Sequence, residues 1–159
     1  MRTVFWVGVV TFLADQISKY LVVHWMNLRD FGSIEVLPPY LNLRMAWNYG
    51  VNFGLFAEDS DLTRWVLVVV ALVISCAVLW WIYHEETGTA GKVSAGLLVG
   101  GALGNVIDRV VYGAVADFLN MSCCGFNNPY AFNIADIAVF AGAIGLVLFT
   151  SGEPDSDKG

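Results

Sequence analysis

From Trp65 to Tyr83 the chain runs for 19 residues without one charged side chain, and polar residues flank the run on both sides. A helix rises 1.5 Å per residue, so a run of this length reaches about 30 Å, the thickness of a bilayer's hydrocarbon core. In lipid the backbone must satisfy its own N–H and C=O groups, and a helix does so within a single segment. A membrane-spanning helix is therefore expected, and the composition agrees: of 159 residues 57% are hydrophobic and 14% charged, with a mean hydropathy of +0.64. An ordinary soluble domain carries roughly 25% charged residues.

Three more apolar stretches are present, and each is interrupted by an acid. Asp15 and Lys19 break the one from Thr3 to Met26, Asp108 and Arg109 fall near the end of one beginning at Val93, and Asp136 lies early in one ending near Thr150. An Asp at the centre of a membrane helix costs roughly 3 kcal/mol, so these acids are expected to face one another or water. The N-terminal stretch is read as a span and not as a cleaved leader, because no small-x-small site precedes Asp15 and apolar character resumes from Tyr20 to Trp25. Together these features predict an all-α integral membrane bundle of four transmembrane helices. The expected organisation is one membrane-embedded domain over residues 1–152 and a disordered tail over 153–159.

Between the first two spans, Leu41, Leu43, Met45 and Trp47 alternate with Asn42, Arg44, Ala46 and Asn48, which predicts a strand, a small β element in the first loop. Turn chemistry follows from Asn48 to Gly54, and Glu58, Asp59 and Asp61 stand where the positive end of the next helix favours acids. The third loop, Tyr112 to Tyr130, has no base and ends in Asn127-Asn128-Pro129, a helix-entry signal. With antiparallel spans, the first and third loops share one side of the bundle, and Asp15, Asp108, Asp117 and Asp136 all fall towards it.

A net charge of −6, from 8 Lys and Arg against 14 Asp and Glu, excludes the basic footprint that nucleic-acid binding requires. Three cysteines without C-x-x-C spacing and two distant histidines supply no zinc ligand set and no disulfide framework. Neither metal nor cofactor is expected; Cys123 and Cys124 read as loop thiols and Cys76 as a core residue.

On the first span Thr11, Asp15, Ser18 and Lys19 form a polar seam, with the acid four residues before the base. On the third, Gly96, Gly100 and Gly104 recur at intervals of four, the pattern that lets helices approach closely. Asn105, Asp108 and Arg109 follow, and Asp108 beside Arg109 reads as a structural ion pair. Asp117 and Asp136 have no basic neighbour in sequence, and Asp136 is expected about one and a half turns, roughly 8 Å, into the fourth helix. Two carboxyls in contact cannot both ionise cheaply, so one keeps its proton: a general acid beside a general base, the equipment for peptide hydrolysis. The residues alone leave open a loop acid at Asp117 with a helix-dipole partner at Asp136, and also a small ion-coupled transporter or channel subunit.

Five blocks in order resemble bacterial lipoprotein signal peptidase, the signal peptidase II family. They are Asp15-Gln16-Ile17-Ser18-Lys19, Asn48-Tyr49-Gly50-Val51-Asn52-Phe53, Gly100 through Arg109, Val115-Ala116-Asp117-Phe118 and Phe132-Asn133-Ile134-Ala135-Asp136. The resemblance implies a multi-pass enzyme of the bacterial inner membrane with cytoplasmic termini, an active site near the periplasmic face, and an extracytoplasmic β-containing first loop. It implies an aspartic endopeptidase, a monomer surrounded by membrane lipid, that cuts diacylglyceryl-modified prolipoproteins on the amino side of the lipidated cysteine. By match to the blocks, Asp117 and Asp136 are the catalytic pair. Asp15, Lys19, Asn48, Gly50, Asn105, Asp108, Arg109 and Asn133 are supporting or substrate-contacting positions.

Overall fold

The computed structural model describes residues 1–50, 60–123 and 125–150. Helix α1 (Arg2–Lys19) continues directly into a π-helical stretch, Tyr20–Trp25, followed by the single turn α2 (Leu28–Phe31). Strands β1 (Ser33–Leu37) and β2 (Leu41–Asn48) come next, then α3 (Ser60–His84), α4 (Thr89–Tyr112), β3 (Val115–Met121) and α5 (Ile134–Thr150). Among the described residues, three helical segments are long and apolar enough to cross a membrane: Arg2–Trp25, Asp61–His84 and Thr89–Tyr112. The fourth apolar helix, α5, has 17 residues.

Helix α4 is the centre of the bundle. Of its most apolar stretch 61% is buried, against 22% for the first segment and 17% for the second. Its glycines explain this position. Gly96 lies against Val4 and Val7, and Gly100 against Gly8 and Thr11, so α1 approaches to backbone contact. One residue round the helix, Gly101 faces Ala135 and Val139 of α5, while Gly142 and Gly145 of α5 face Leu98 and Ser94 in return. Val4, Ile82, Ala95, Leu98, Val99 and Leu146 close the core between these helices and α3. The outward faces keep large apolar side chains such as Phe5, Val73, Trp80 and Phe140 exposed, as lipid contact requires. Cys76 is on that exposed face of α3 and not in the core, because the small residue turned inward there is Ser75.

The strands form one antiparallel sheet in the order β1-β2-β3. The expected strand at Leu41–Asn48 is β2, but it is the middle of three, and the fold is not all-α. β1 precedes it, and β3 occupies part of what the sequence offered as a loop. β3 escapes detection because nearly all of its residues are buried, leaving no alternation to read. Its register pairs Asn48 with Val115, Trp47 with Ala116 and Ala46 with Asp117. Side chains alternate along a strand, so Asn48 and Asp117 share one face while Trp47 and Ala116 share the other. Leu28, Leu43 and Phe118 pack the sheet onto α2 and the π-helical stretch.

Asp61 occupies the first turn of α3 as expected. Glu58, Asp59, the turn beyond Gly50, Cys124 and the expected tail lie outside the described residues.

Candidate active site

Three segments far apart in sequence meet at one buried ammonium. Lys19 Nζ donates to Asp15 Oδ2 at 2.7 Å, Asp108 Oδ2 at 2.9 Å and Asn105 Oδ1 at 3.3 Å, which uses all three of its N–H groups. Asp15 is 0% and Asp108 1% exposed, so each charge has been removed from water and paired with this one ammonium. Each carboxylate also takes a backbone N–H. Asp15 Oδ1 accepts from Ala135 at 2.9 Å, at the N-terminus of α5 where the helix presents unpaired N–H groups. Asp108 Oδ2 accepts from Ala116 at 3.1 Å, at the start of β3. Ala135 precedes Asp136 and Ala116 precedes Asp117, so one lysine fixes the backbone on which each candidate catalytic acid is carried.

Asn133 joins the two acids. As the N-cap of α5 its Oδ1 accepts from the Asp136 N–H at 2.9 Å, while Asp136 Oδ2 accepts from the Asn133 N–H at 3.3 Å, a reciprocal capping box. Its Nδ2 donates to Asp117 Oδ1 at 2.7 Å. Asn105, oriented by Lys19, donates to Asp136 Oδ1 at 2.9 Å. Asn48 Nδ2 donates to Asp117 Oδ2 at 3.1 Å, and Asn48 Oδ1 is itself fixed by the Gly50 N–H at 3.0 Å. Gly50 has φ +121, and a Cβ there would stand 2.8 Å from Leu67 and 3.0 Å from Thr63, so the turn accepts only glycine.

Burial of Asp117, reinforced by the Asp136 charge, pushes its pKa up to about 7, against the opposing pull of the Asn48 and Asn133 hydrogen bonds and the Lys19 charge. A carboxyl that keeps its proton to neutral pH beside a second carboxylate can donate a proton while its neighbour accepts one.

Every position singled out by the sequence lies in or against this cluster, with three adjustments. Asp136 is in the first turn of α5, not one and a half turns deep, because the helix begins at Ile134. Asp108 pairs with Lys19 and not with Arg109: adjacent helical residues point in different directions, and Arg109 instead donates to Asn105 O at 3.4 Å. Asp117 is carried by β3, not by a loop. One contributor was missed. Gln16 Nε2 lies 3.1 Å from both Asp15 and Asp108 and 3.3 Å from Gly104 O, bridging the two carboxylates. Its place between Asp15 and the seam residues was the available signal.

A bacterial membrane enzyme solved by the in meso method at 1.9 Å resolution has the same fold, with a TM-score of 0.81, 28% identity and coverage of 97% of this chain and 96% of that one. A second such structure, at 2.3 Å, gives a TM-score of 0.79. That sets the class as a helical membrane enzyme. Residues 7–151 match the family model described as signal peptidase (SPase) II. The lipoprotein signal peptidase of Alteromonas mediterranea is 38% identical over 156 residues, covering 96% of this chain and 84% of that protein. The one from Methylobacterium sp. (strain 4-46) is 43% identical over 140 residues, covering 88% and 83%. The chain belongs to the signal peptidase II family. Membership makes it a protease of a bacterial membrane and sets aside the transporter or channel reading.

Proposed function

We propose that the chain is an aspartic endopeptidase that removes the signal peptide from diacylglyceryl-modified prolipoproteins, cutting on the amino side of the lipidated cysteine. The observation that carries this reading is Asn133, which caps the helix of Asp136 and donates to Asp117, so that one side chain ties the two acids together. Asp136, which accepts the Asn133 N–H at the positive end of α5 and the Asn105 amide, takes a proton from the attacking water. Asp117, protonated near neutral pH, donates to the carbonyl oxygen as it becomes tetrahedral. Collapse returns that proton to Asp117, and the proton held by Asp136 passes to the departing amine of the cysteine. Water is split between the two products, and no cofactor or metal enters the step.

The remaining residues are assigned supporting roles. Asp15, Lys19 and Asp108 hold the two backbones, Asn48, Gly50, Asn105 and Asn133 aim the carboxylates, and Arg109 contacts substrate. The last assignment is supported by Arg109 Nε, which is buried without an acceptor among the described residues. In this reading α5 is the fourth span, the termini are cytoplasmic, and the cluster lies at the periplasmic face of the inner membrane. Residues 1–152 then form a single peptidase domain working as a monomer in lipid. The test is cleavage of a lipidated precursor by purified protein: Asp117→Asn and Asp136→Asn should each abolish turnover while precursor binding persists. Substantial cleavage by either variant refutes the assignment.

A further inference from the structure

The sheet face opposite Asp117 borders a cavity. It measures about 250 Å³ and lies between the end of α1, the C-terminal end of α4 and the Trp47–Ala116 face of the sheet. Its walls are aromatic. Tyr20 and His24, both on the π-helical stretch, have ring centroids 5.6 Å apart; His24 and Tyr112 are 6.4 Å apart, and Tyr112 and Trp47 are 5.9 Å apart. Its floor is polar and formed by Gln16, Lys19 and Asp108. Tyr20 is 65% and Tyr112 51% exposed, so the mouth opens outward at the end of the spans.

The floor determines what chemistry fits. Two buried carboxylates, Asp15 and Asp108, share the single Lys19 ammonium, and the Arg109 guanidinium acts on Asp136 and Asp117 more strongly than on Asp108, so carboxylates outnumber cations at the floor. All three Lys19 N–H groups already have acceptors, and the Gln16 amide is engaged by Asp15, Asp108 and Gly104. The floor therefore offers no spare donor to an anion. Net negative potential below and π faces around describe a cation site, because aromatic rings attract alkylated ammonium groups through their quadrupole. The volume falls below the roughly 300 Å³ at which drug-sized ligand sites begin, so a headgroup fits and a whole lipid does not. A π-helical insertion at the wall is consistent with a binding role, since such insertions concentrate at functional sites.

We propose that this cavity binds an alkylammonium group, supplied by the headgroup of an amine-bearing phospholipid at the membrane surface. It is separate from the carboxylate pair, and its test needs no substrate, so it stands or falls independently of the cleavage mechanism.

The test measures the unfolding temperature of the full chain in maltoside micelles titrated with short-chain phosphatidylethanolamine, phosphatidylglycerol of the same chains, or free ethanolamine. Preferential binding to the folded state raises the midpoint with ligand concentration. The expected result is saturable stabilisation by phosphatidylethanolamine and none by phosphatidylglycerol, with apparent affinity weakened about tenfold in Tyr112→Leu and Trp47→Leu. Saturation by the lipid alone assigns the lipid as source; saturation by free ethanolamine at equal concentration supports the ammonium site and assigns a soluble amine instead. Equal effects of the two lipids without any effect of ethanolamine, or undiminished affinity in both variants, overturns the proposal. Should neither variant fold, native mass spectrometry of the unaltered protein from an equimolar lipid mixture decides: retention of the amine lipid supports the site and equal retention refutes it.

Discussion

Replacing Asp117 with Asn should remove activity and at the same time make the protein more stable in alkali. The carboxyl is raised from an ordinary value of 3.8 to about 7 by burial and by the Asp136 charge, a shift of about three pH units. At 1.36 kcal/mol per unit, ionised Asp117 opposes folding by about 4 kcal/mol. Between those two values the folded protein holds a proton that the unfolded chain has released. Stability from this group is therefore complete below pH 3.8 and is lost as pH rises through 7. From pH 5 to pH 9 the parent protein should lose about 3 kcal/mol on this account, and the Asn variant none. At pH 9 the full gain is not realised. Asn has one carbonyl oxygen, whereas Asp117 accepts amide donors from both Asn48 and Asn133, so one bond fails at about 1 to 2 kcal/mol. Asn48 cannot turn to compensate, since its own oxygen is held by Gly50. A net gain of about 2 kcal/mol at pH 9 remains, equivalent to roughly 4 to 8 °C for a chain of this size. The assay is the unfolding midpoint of both proteins in one detergent from pH 5 to 9. The two proteins differ only at residue 117, so the difference between the curves reports Asp117 together with its charge coupling to Asp136. Parallel curves across that window would refute the raised pKa and, with it, the assignment of Asp117 as proton holder.

Lys19→Met should lower stability by about 3 to 5 kcal/mol, because it leaves Asp15 and Asp108 buried without a counter-charge; full folding yield and an unchanged unfolding midpoint would contradict that. Gly50→Ala should reduce turnover more than stability, since the strained turn would release the Asn48 side chain from Asp117 and disturb the proton balance; the pH–rate profile should shift with it. The double variant Cys123→Ser, Cys124→Ser should keep parental turnover, which a cleavage assay on inserted protein checks directly.

The helices were legible because lipid leaves few alternatives: a charge-free run of bilayer length is a helix, and the glycine spacing of α4 marked it for close packing. The strand at Leu41–Asn48 was legible because one face is more buried than the other, which imposes alternation. β3 was not, since a strand buried on both faces carries no such pattern, and its existence depends on β2 supplying the partner edge. The candidate acids could be picked out by the cost of placing them near lipid. Their partners could not. Nothing in sequence distinguishes Lys19 from Arg109 as the cation for Asp108, because that choice depends on how closely α1 approaches α4. Gly104 decides it: a Cβ there would stand 2.5 Å from Asp15 Oδ2, so only glycine lets the two carboxylates and the lysine share one space.

That close approach also explains why ionic groups are concentrated on one lysine. In the proposed mechanism Asp117 and Asp136 exchange protons with one substrate, which makes it sensitive to small changes in their separation, yet they are carried on a strand and a helix with no direct continuity. Apolar packing alone would allow sliding between them, since van der Waals contacts are individually weak and nondirectional. A buried ammonium between two carboxylates is directional, and leaving either carboxylate unpaired costs several kcal/mol. Because those carboxylates grip the N–H groups of Ala116 and Ala135, any displacement of β3 against α5 must break a charge-assisted hydrogen bond before it moves the acids apart. The charged cluster adds little net stability over an apolar core of equal volume, and its contribution is instead to hold two acids from separate elements at one fixed spacing.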